Sequence, residues 1–460
     1  MTDLIDVPAP RLDATVPMMP DVVPPSAARE NDHAGASPST SHVGQGPGMN
    51  DVDGRADAGS VEPTPRDSAA AGAANAGSDL RCHAERDTPQ RTDYAQPGPY
   101  PVGAVDLIFE DTSRSIAATD KHPAAQSRVL ATVIYYPSSD QATLLDSAPV
   151  AAGGPFAMLM YSHGYSSSRG EGDLVAQHAA SYGYVVVVPD FPLTNIFAND
   201  GAPDVSDAAN QPGDITFLID ELLRRSAEPD DLFANAIDES RIGALGVSLG
   251  GLTTLLVSFH PRFQDARIKA ALPIAALSSF FAPGFYHTRE LPMLLIHGDL
   301  DAFVDYGRNA RRAFMRASPN ARLMTVAKGT HAAFGAQLDT DTIAAINALI
   351  APPDADPSNP DGLGCGAVGA TLSMTGPEFL QALGGAEDFI TPDPDAAALL
   401  PCRGDEYTQP AIDTYEQEAI AVQSAVAFFE AHLAKAPETR QDGCRYLLYE
   451  LTKNPSVTLE

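Results

Sequence analysis

The feature that most constrains this chain is a short apolar run ending in the pentapeptide G-x-S-x-G at residues 246–250, with Ser248 at its centre. Residues 242–247 are apolar and predict a buried parallel strand, and Leu249–Phe259 predicts a buried helix that ends before Pro261. A strand that turns directly into a helix holds its central residue in a strained conformation, and small residues two positions away permit it. The sequence therefore predicts a nucleophile elbow that presents the Ser248 hydroxyl.

A serine nucleophile needs a histidine base and an acid that orients the base, and with this elbow they follow in the order serine, acid, histidine. Residues 291–298 predict another buried strand followed by Asp299 and Asp301, of which Asp301 is the preferred acid and Asp299 the second choice. Residues 322–327 predict a further strand, and His331 lies in the loop after it. A lone loop aspartate is usually solvated and a lone loop histidine usually has no chemistry, but three residue types in this order predict a triad. Structural or surface positions are expected for four other histidines: His178, His260, His287 and His297.

Acyl transfer also needs hydrogen-bond donors for the oxyanion. Residues 156–161 predict a central strand, and the loop after it reads S-H-G-Y-S-S-S from Ser162. The backbone N–H groups of Tyr165 and Leu249 are the predicted oxyanion hole, and the alternative is an ordinary glycine-containing turn. Tyr165 would also place an aromatic ring beside the acyl group.

Several segments together carry a resemblance to a known family. They are residues 98–103 (G-P-Y-P-V-G), 131–137 (A-T-V-I-Y-Y-P), 163–165 (H-G-Y), 182–190 (Y-G-Y-V-V-V-V-P-D) and 246–251 (G-V-S-L-G-G). With them the chain resembles an α/β-hydrolase of the branch that holds dienelactone-hydrolase-like esterases, platelet-activating-factor acetylhydrolases and cutinase-type polyester hydrolases. The similarity spans roughly residues 94–334 and resumes in the last predicted helix. Alternating strand and helix patterns also predict an α/β fold, with a mostly parallel sheet covered by helices on both faces.

The resemblance implies a serine carboxylic-ester hydrolase that forms an acyl-enzyme on Ser248 and needs no cofactor or metal. Dienelactone hydrolases proper generally use a cysteine nucleophile, and cutinase-type enzymes generally place a tryptophan near the triad, whereas this chain has serine at the elbow and no tryptophan. Uncharged short- to medium-chain or aryl esters are therefore the first expectation. A polyester, a phospholipid acetyl ester or another lipid ester is the alternative, and a serine peptidase or a non-catalytic binding module is less favoured. The aromatic candidates for a substrate cleft, each with core packing as its alternative, are Tyr165, Phe191, Phe280 and Phe281.

Composition divides the chain into regions. Residues 1–92 are rich in Ala, Pro, Gly, Asp and Ser and predict a disordered segment, and residues 93–460 predict the catalytic domain. Within that domain, residues 340–410 read as a loop-rich insertion or cap, and residues 411–460 as a C-terminal helix and tail. The helix is expected to bury a stripe formed by Ile412, Tyr415, Ala419, Val422, Val426, Phe429 and Leu433. An acidic run in the insertion has spacing too irregular for calcium and reads as a solvated loop: Asp354, Asp356, Asn359 and Asp361.

Cysteine usage and charge bear on the environment of the protein. The four cysteines suit Cys365–Cys402 and Cys82–Cys444 disulfides, although four cysteines allow three connectivities. They favour a secreted or periplasmic location, with the cytoplasm as the alternative, while residues 1–20 lack the pattern of a secretory signal. A formal net charge of -31 excludes a nucleic-acid-binding protein, and no apolar run is long enough to span a bilayer. A monomer acting on a small or polymeric uncharged ester is expected.

Overall fold

The computed structural model describes residues 82–85, 89–119, 121–140, 148–335, 340–367, 377–391, 401–402 and 404–460. The prediction for residues 1–92 therefore falls mostly outside the described residues. The last residues of that segment are in contact with the C-terminal region: Cys82 is bonded to Cys444, and the backbone N–H groups of Arg91 and Thr92 donate to Asp442.

A single nine-stranded sheet organises the described residues. Its strands are β1 (Val102–Asp111), β2 (Arg128–Pro137), β3 (Phe156–Ser162), β4 (Tyr184–Pro189), β5 (Ile237–Val247), β6 (Ile268–Ile274), β7 (Met293–Gly298), β8 (Ala321–Val326) and β9 (Val457–Leu459). They lie in the order β1-β2-β4-β3-β5-β6-β7-β8-β9. Pairing is parallel from β4 through β8 and antiparallel at β1/β2, β2/β4 and β8/β9. This arrangement confirms the predicted α/β-hydrolase-like fold with a mostly parallel sheet.

Helices cover both faces of the sheet. They are α1 (Asp173–Ser181), α2 (Gln211–Ala227), α3 (Leu249–Phe259), α4 (Arg312–Arg316), α5 (Thr340–Ile350), α6 (Asp361–Ala367), α7 (Pro377–Leu383), α8 (Thr414–Leu433) and α9 (Pro437–Arg445). Because successive side chains of a strand point to opposite faces, Met158 packs with α2 and α3, whereas its neighbour Leu159 packs with α1 and α8. The sheet therefore separates two apolar cores.

The strand order brings the carboxyl ends of β3, β5, β7 and β8 to one edge of the sheet. All four run parallel, and only β6 lies between β5 and β7. Loops that follow these strands are thus neighbours in space although they are far apart in sequence. The predicted nucleophile, acid, base and oxyanion loop all follow one of these strands.

The C-terminal region differs from its prediction in two ways. Helix α8 contacts α1, α9 and the sheet, so the surface it buries differs from the single predicted stripe. Tyr415 and Ala419 of that stripe are exposed. Polar Gln417 is fully buried instead. The residues after α8, expected as a tail, form α9 and the edge strand β9, which pairs antiparallel with β8.

The described part of the segment 340–410 contains the short helices α5, α6 and α7. Both expected cysteine pairs lie at disulfide distance, with Cα–Cα separations of 5.2 Å for Cys82–Cys444 and 5.6 Å for Cys365–Cys402. Within the described part of the chain, no helix is long and apolar enough to cross a membrane.

Candidate active site

Ser248 lies in a sharp turn between β5 and α3. Its backbone has φ 58° and ψ -115°, a conformation that non-glycine residues adopt only where the surrounding structure imposes it. The Ser248 N–H donates to the Ile274 carbonyl of β6 at 2.8 Å, and its own carbonyl accepts from Leu252 N–H at 3.0 Å. The turn is therefore fixed from both sides, as the prediction of a nucleophile elbow requires.

The glycines of the pentapeptide are required by a close approach of strand β3. A Cβ atom on Gly250 would lie 1.8 Å from the carbonyl oxygen of Ser162, and one on Gly246 would lie 2.5 Å from the same atom. Both contacts are with backbone, which cannot rotate away as a side chain can. Small residues at these two positions allow the elbow to pack against the β3 edge.

Asp301 and His331 form a direct pair after β7 and β8. His331 Nδ1 lies 2.8 Å from Asp301 Oδ2, and the other carboxylate oxygen, Oδ1, accepts from the backbone N–H groups of Phe303 at 2.9 Å and Val304 at 2.7 Å. Asp301 is buried, and only 14% of the His331 side chain is exposed. Asp299, the second candidate acid, instead accepts from Lys328 N–H at 2.6 Å and is exposed.

The electrostatics of this pair determine its protonation. Burial acts to raise the pKa of Asp301, but the neighbouring rings of His331 and His297 hold it well below its usual range. Burial acts to lower the pKa of His331, but the carboxylates of Asp301, Asp361 and Glu171 raise it above its ordinary value. Because an ionised carboxylate faces Nδ1, that nitrogen carries a proton, and Nε2 is left to accept one.

His297, expected in a structural position, also contacts the acid. Its Nε2 lies 3.0 Å from Asp301 Oδ2 and 2.7 Å from the Val304 carbonyl oxygen, so that nitrogen carries the ring proton. The ring is fully buried. Asp301 is consequently held by four donors, two from backbone and two from imidazole rings.

The structure brings Asp301 and His331 into hydrogen-bond contact, but the hydrogen bonds of the described residues do not include one from Ser248 Oγ to His331. The two residues are linked by a common neighbour, Glu171. A Cβ atom on Gly164 would lie 3.5 Å from Ser248 Cβ and 3.2 Å from Glu171 Oε2, while the Glu171 side chain also lies against Gly335 in the loop after His331. Ser248 and the loop of His331 thus both lie near Glu171 at the sheet edge.

Two backbone N–H groups are of interest, one in the loop after β3 and one at the start of α3. Among the described residues, neither Tyr165 N–H nor Leu249 N–H has an acceptor within the chain, whereas Gly164 N–H donates to Glu171 Oε1 at 2.9 Å and Ser166 N–H to Thr194 O at 2.9 Å. Both predicted oxyanion donors are therefore available to an acceptor from outside the chain.

His163 fixes the conformation of this loop, a role that the sequence did not reveal. Its Nε2 accepts from Phe191 N–H at 3.1 Å, so the proton is on Nδ1, which donates to the Gly164 carbonyl at 2.7 Å. Burial lowers the pKa of His163, which keeps the ring neutral. The Tyr165 side chain is half-buried, and its hydroxyl donates to the Pro203 carbonyl at 2.8 Å.

The three phenylalanines considered as cleft residues lie inside the core. Phe191, Phe280 and Phe281 are at most 2% exposed and belong to the cluster that also contains residues of α2 and α3. Core packing, the alternative interpretation, describes them. The aromatic ring that does reach the acid–base pair is Phe303, which stacks on the His331 ring with centroids 5.2 Å apart.

Two further residues that sequence reasoning missed support His331. Gln417 of α8 accepts from Thr330 N–H at 2.9 Å and donates to the Thr330 carbonyl at 2.7 Å, which clamps the residue before the histidine. Asp361 accepts from the backbone N–H of His331 itself at 3.0 Å. Asp361 and Asn359 are both fully buried, so the solvated-loop interpretation of the acidic run is wrong for these two residues. No cluster of three His, Cys, Asp or Glu side chains suited to a metal ion occurs in the described ranges.

Comparisons with known proteins find similarity among solved structures. No protein-family model matches the chain, and no curated protein matches it. A ferulic acid esterase from Streptomyces cinnamoneus is similar in structure, with 18% sequence identity and a TM-score of 0.46, covering 76% of this chain and 97% of that one.

Proposed function

We propose that the protein is a serine carboxylic-ester hydrolase with Ser248 as nucleophile, His331 as base and Asp301 as the acid that orients the base. The observation that carries the proposal is the 2.8 Å contact of His331 Nδ1 with buried Asp301, at the sheet edge where the strained elbow presents Ser248. The order of the three residue types, each in a loop after a strand whose carboxyl end lies at this edge, supports assigning them to nucleophilic acyl transfer.

In the proposed reaction, His331 Nε2 takes the Ser248 hydroxyl proton as the oxygen attacks the ester carbonyl. The oxyanion accepts hydrogen bonds from Tyr165 and Leu249 N–H, which have no acceptor among the described residues. Protonated His331, stabilised by ionised Asp301, then gives the proton to the leaving alcohol and leaves an acyl-enzyme. Water activated by the same histidine releases the carboxylic acid and restores Ser248.

The charges around the base favour an uncharged ester as substrate. Asp301, Asp361 and Glu171 all act on the pKa of His331, so the site is surrounded by carboxylates. An anionic ester would meet repulsion there in addition to the field of a chain with a net charge of -31. Uncharged esters are therefore the proposed substrate class, with short- to medium-chain or aryl esters as the first candidates.

Two cysteine pairs at disulfide distance support an oxidising, extracytoplasmic location for the protein.

The proposal is tested by hydrolysis of p-nitrophenyl esters from acetate to palmitate with the parent chain and with Ser248→Ala. We expect turnover in the parent and a loss of about 10³-fold or more in the variant. Ser258→Ala is the matched control, because Ser258 lies in α3, is fully buried and has a hydroxyl without a partner. Equal activity in parent and Ser248→Ala would refute the proposal, and cleavage of p-nitroanilides in place of esters would redirect it to a peptidase.

A further inference from the structure

Asp361, at the start of α6, bonds to both loops that carry the acid–base pair. Its Oδ2 accepts from Ala302 N–H at 2.9 Å and from His331 N–H at 3.0 Å, and its Oδ1 accepts from Ala332 N–H at 2.7 Å. Ala302 directly follows Asp301, and Ala332 directly follows His331. One carboxyl group thus joins the loop of the acid to the loop of the base through their backbones.

The surroundings of Asp361 are unusual for a structural carboxylate. The side chain is 0% exposed, and among the described ion pairs it has no cationic lysine or arginine partner. A buried carboxylate without such a partner is costly unless hydrogen bonds compensate for lost hydration, and the three N–H groups supply that compensation. Burial and the nearby Asp301 raise the pKa of Asp361 to about 6, so the carboxyl is ionised at neutral pH.

The insertion holds α6 against the acid loop by independent contacts. Cys365 of α6 is bonded to Cys402, and Cys402 N–H donates to the Ala302 carbonyl at 2.7 Å. Gly364 approaches the Phe303 ring so closely that a Cβ atom there would lie 2.1 Å from Phe303 Cζ. Since that ring stacks on His331, the contacts of α6 continue to the imidazole.

We propose that Asp361 is a positioning residue of the active site, whose carboxylate fixes the Asp301 loop relative to the His331 loop, and that the insertion serves to hold it there. This inference rests on the proposed hydrolase function and goes beyond it, because the insertion otherwise reads as a cap. Asp361 touches no reacting atom. It acts through the backbone of His331 and through its negative charge.

The charged groups near Asp361 define what its removal changes. Asp301 and His331 act on it directly, Glu406 from the loop before α8 acts on Asp301, and Glu171 from the β3 side acts on His331. Removing the Asp361 charge takes away one of the carboxylates that raise the pKa of His331. The pH at which the base loses its proton must therefore fall.

The test compares Asp361→Asn with the parent by the pH dependence of p-nitrophenyl ester hydrolysis. We expect kcat to fall about tenfold or more with KM nearly unchanged, because a small misplacement of catalytic groups is costly. We also expect the acid limb of kcat/KM to move down by about half a pH unit or more. Asp356→Asn is the matched control, because Asp356 lies in the same acidic run and, among the described hydrogen bonds, its carboxylate accepts only from Ser358 N–H and Oγ.

The outcomes separate this inference from the proposed function. If Ser248→Ala is inactive while Asp361→Asn keeps the parental kcat and the parental acid limb of kcat/KM, the role of Asp361 is overturned and the proposed function is not. Active Ser248→Ala would overturn the proposed function. If Asp361→Asn does not fold, the double variant C365A/C402A loosens α6 while the carboxylate remains. We expect this variant to lose about threefold or more in kcat with an unmoved acid limb, and parental kcat would overturn the inference.

Discussion

Replacement of Asp301 by asparagine is a sharp perturbation because the backbone determines how the amide must lie. The N–H groups of Phe303 and Val304 donate to Asp301 Oδ1 at 2.9 and 2.7 Å, so the amide oxygen has to occupy that position. The opposite orientation would set an NH₂ group against two N–H donors. Leaving both without acceptors would cost roughly 1–3 kcal/mol each.

With the oxygen fixed there, the amide NH₂ points at His331 Nδ1. That nitrogen must then accept, the ring proton moves to Nε2, and the histidine can no longer take a proton from Ser248. The NH₂ group also faces the protonated Nε2 of His297. We expect kcat/KM on p-nitrophenyl acetate to fall about 10⁴-fold, which corresponds to about 5 kcal/mol of transition-state stabilisation.

Asp299→Asn is the matched control, because Asp299 precedes Asp301 by two residues and accepts only one backbone N–H, from Lys328. An asparagine keeps that acceptor, so activity within about threefold of the parent is expected. Thermal unfolding of both variants separates a loss of chemistry from a loss of folding. If folded Asp301→Asn keeps kcat/KM within tenfold of the parent, Asp301 does not determine the tautomer of His331.

Three further predictions concern the fold and its titration. Gly250→Ala sets a Cβ atom 1.8 Å from a backbone oxygen and should lower the free energy of unfolding in urea by about 3 kcal/mol or more. Gly170→Ala is the control, because its nearest contact would be 3.6 Å away, and it should cost under about 1 kcal/mol. Equal losses in the two variants would contradict the close packing at Gly250. Arg128→Met leaves buried Asp207 without an ion-pair partner among the described residues and buried Asp214 with Arg114 alone, so it should lower the unfolding free energy by about 3 kcal/mol or more; a loss under about 1 kcal/mol would be inconsistent with the pairing. Burial raises the pKa of Glu418 to about 7, so its carboxyl binds a proton more tightly in the folded state and stability falls as pH rises from 4.5 to 7. In the parent this fall in the free energy of unfolding should be about 1 kcal/mol after allowance for solvent screening, and Glu418→Gln should lack it. Parallel plots of unfolding free energy against pH for parent and variant between about pH 5 and 8 would contradict this prediction.

The parts of the site that follow a strand were predictable from sequence because each is a local signal. The apolar run, the glycines and the following apolar helix placed the elbow, and the structure has α3 at Leu249–Phe259 as predicted. Strand β7 begins at Met293, two residues later than predicted, after Pro292, which has no N–H for the ladder. The next strand, β8, begins at Ala321, one residue earlier than predicted.

The supporting residues were not predictable because their contacts are distant in sequence. Asp361 lies among proline, aspartate and glycine, a composition that indicates a solvated turn, yet its partners are 29 to 59 residues away. Gln417 lies 87 residues from Thr330, and no local pattern distinguishes it from other glutamines of a helix. The prediction that Tyr415 is buried was wrong, because a single apolar stripe does not describe a helix that several neighbours contact from more than one side.

Covalent labelling with an irreversible serine reagent shows whether Ser248 is the nucleophile. The parent chain and Ser248→Ala are treated with a fluorophosphonate, their intact masses are measured, and the modified peptide is sequenced. We expect one adduct per parent chain, on Ser248, and none on the variant. Absence of an adduct on the parent, or an adduct on another serine that persists in Ser248→Ala, would contradict it.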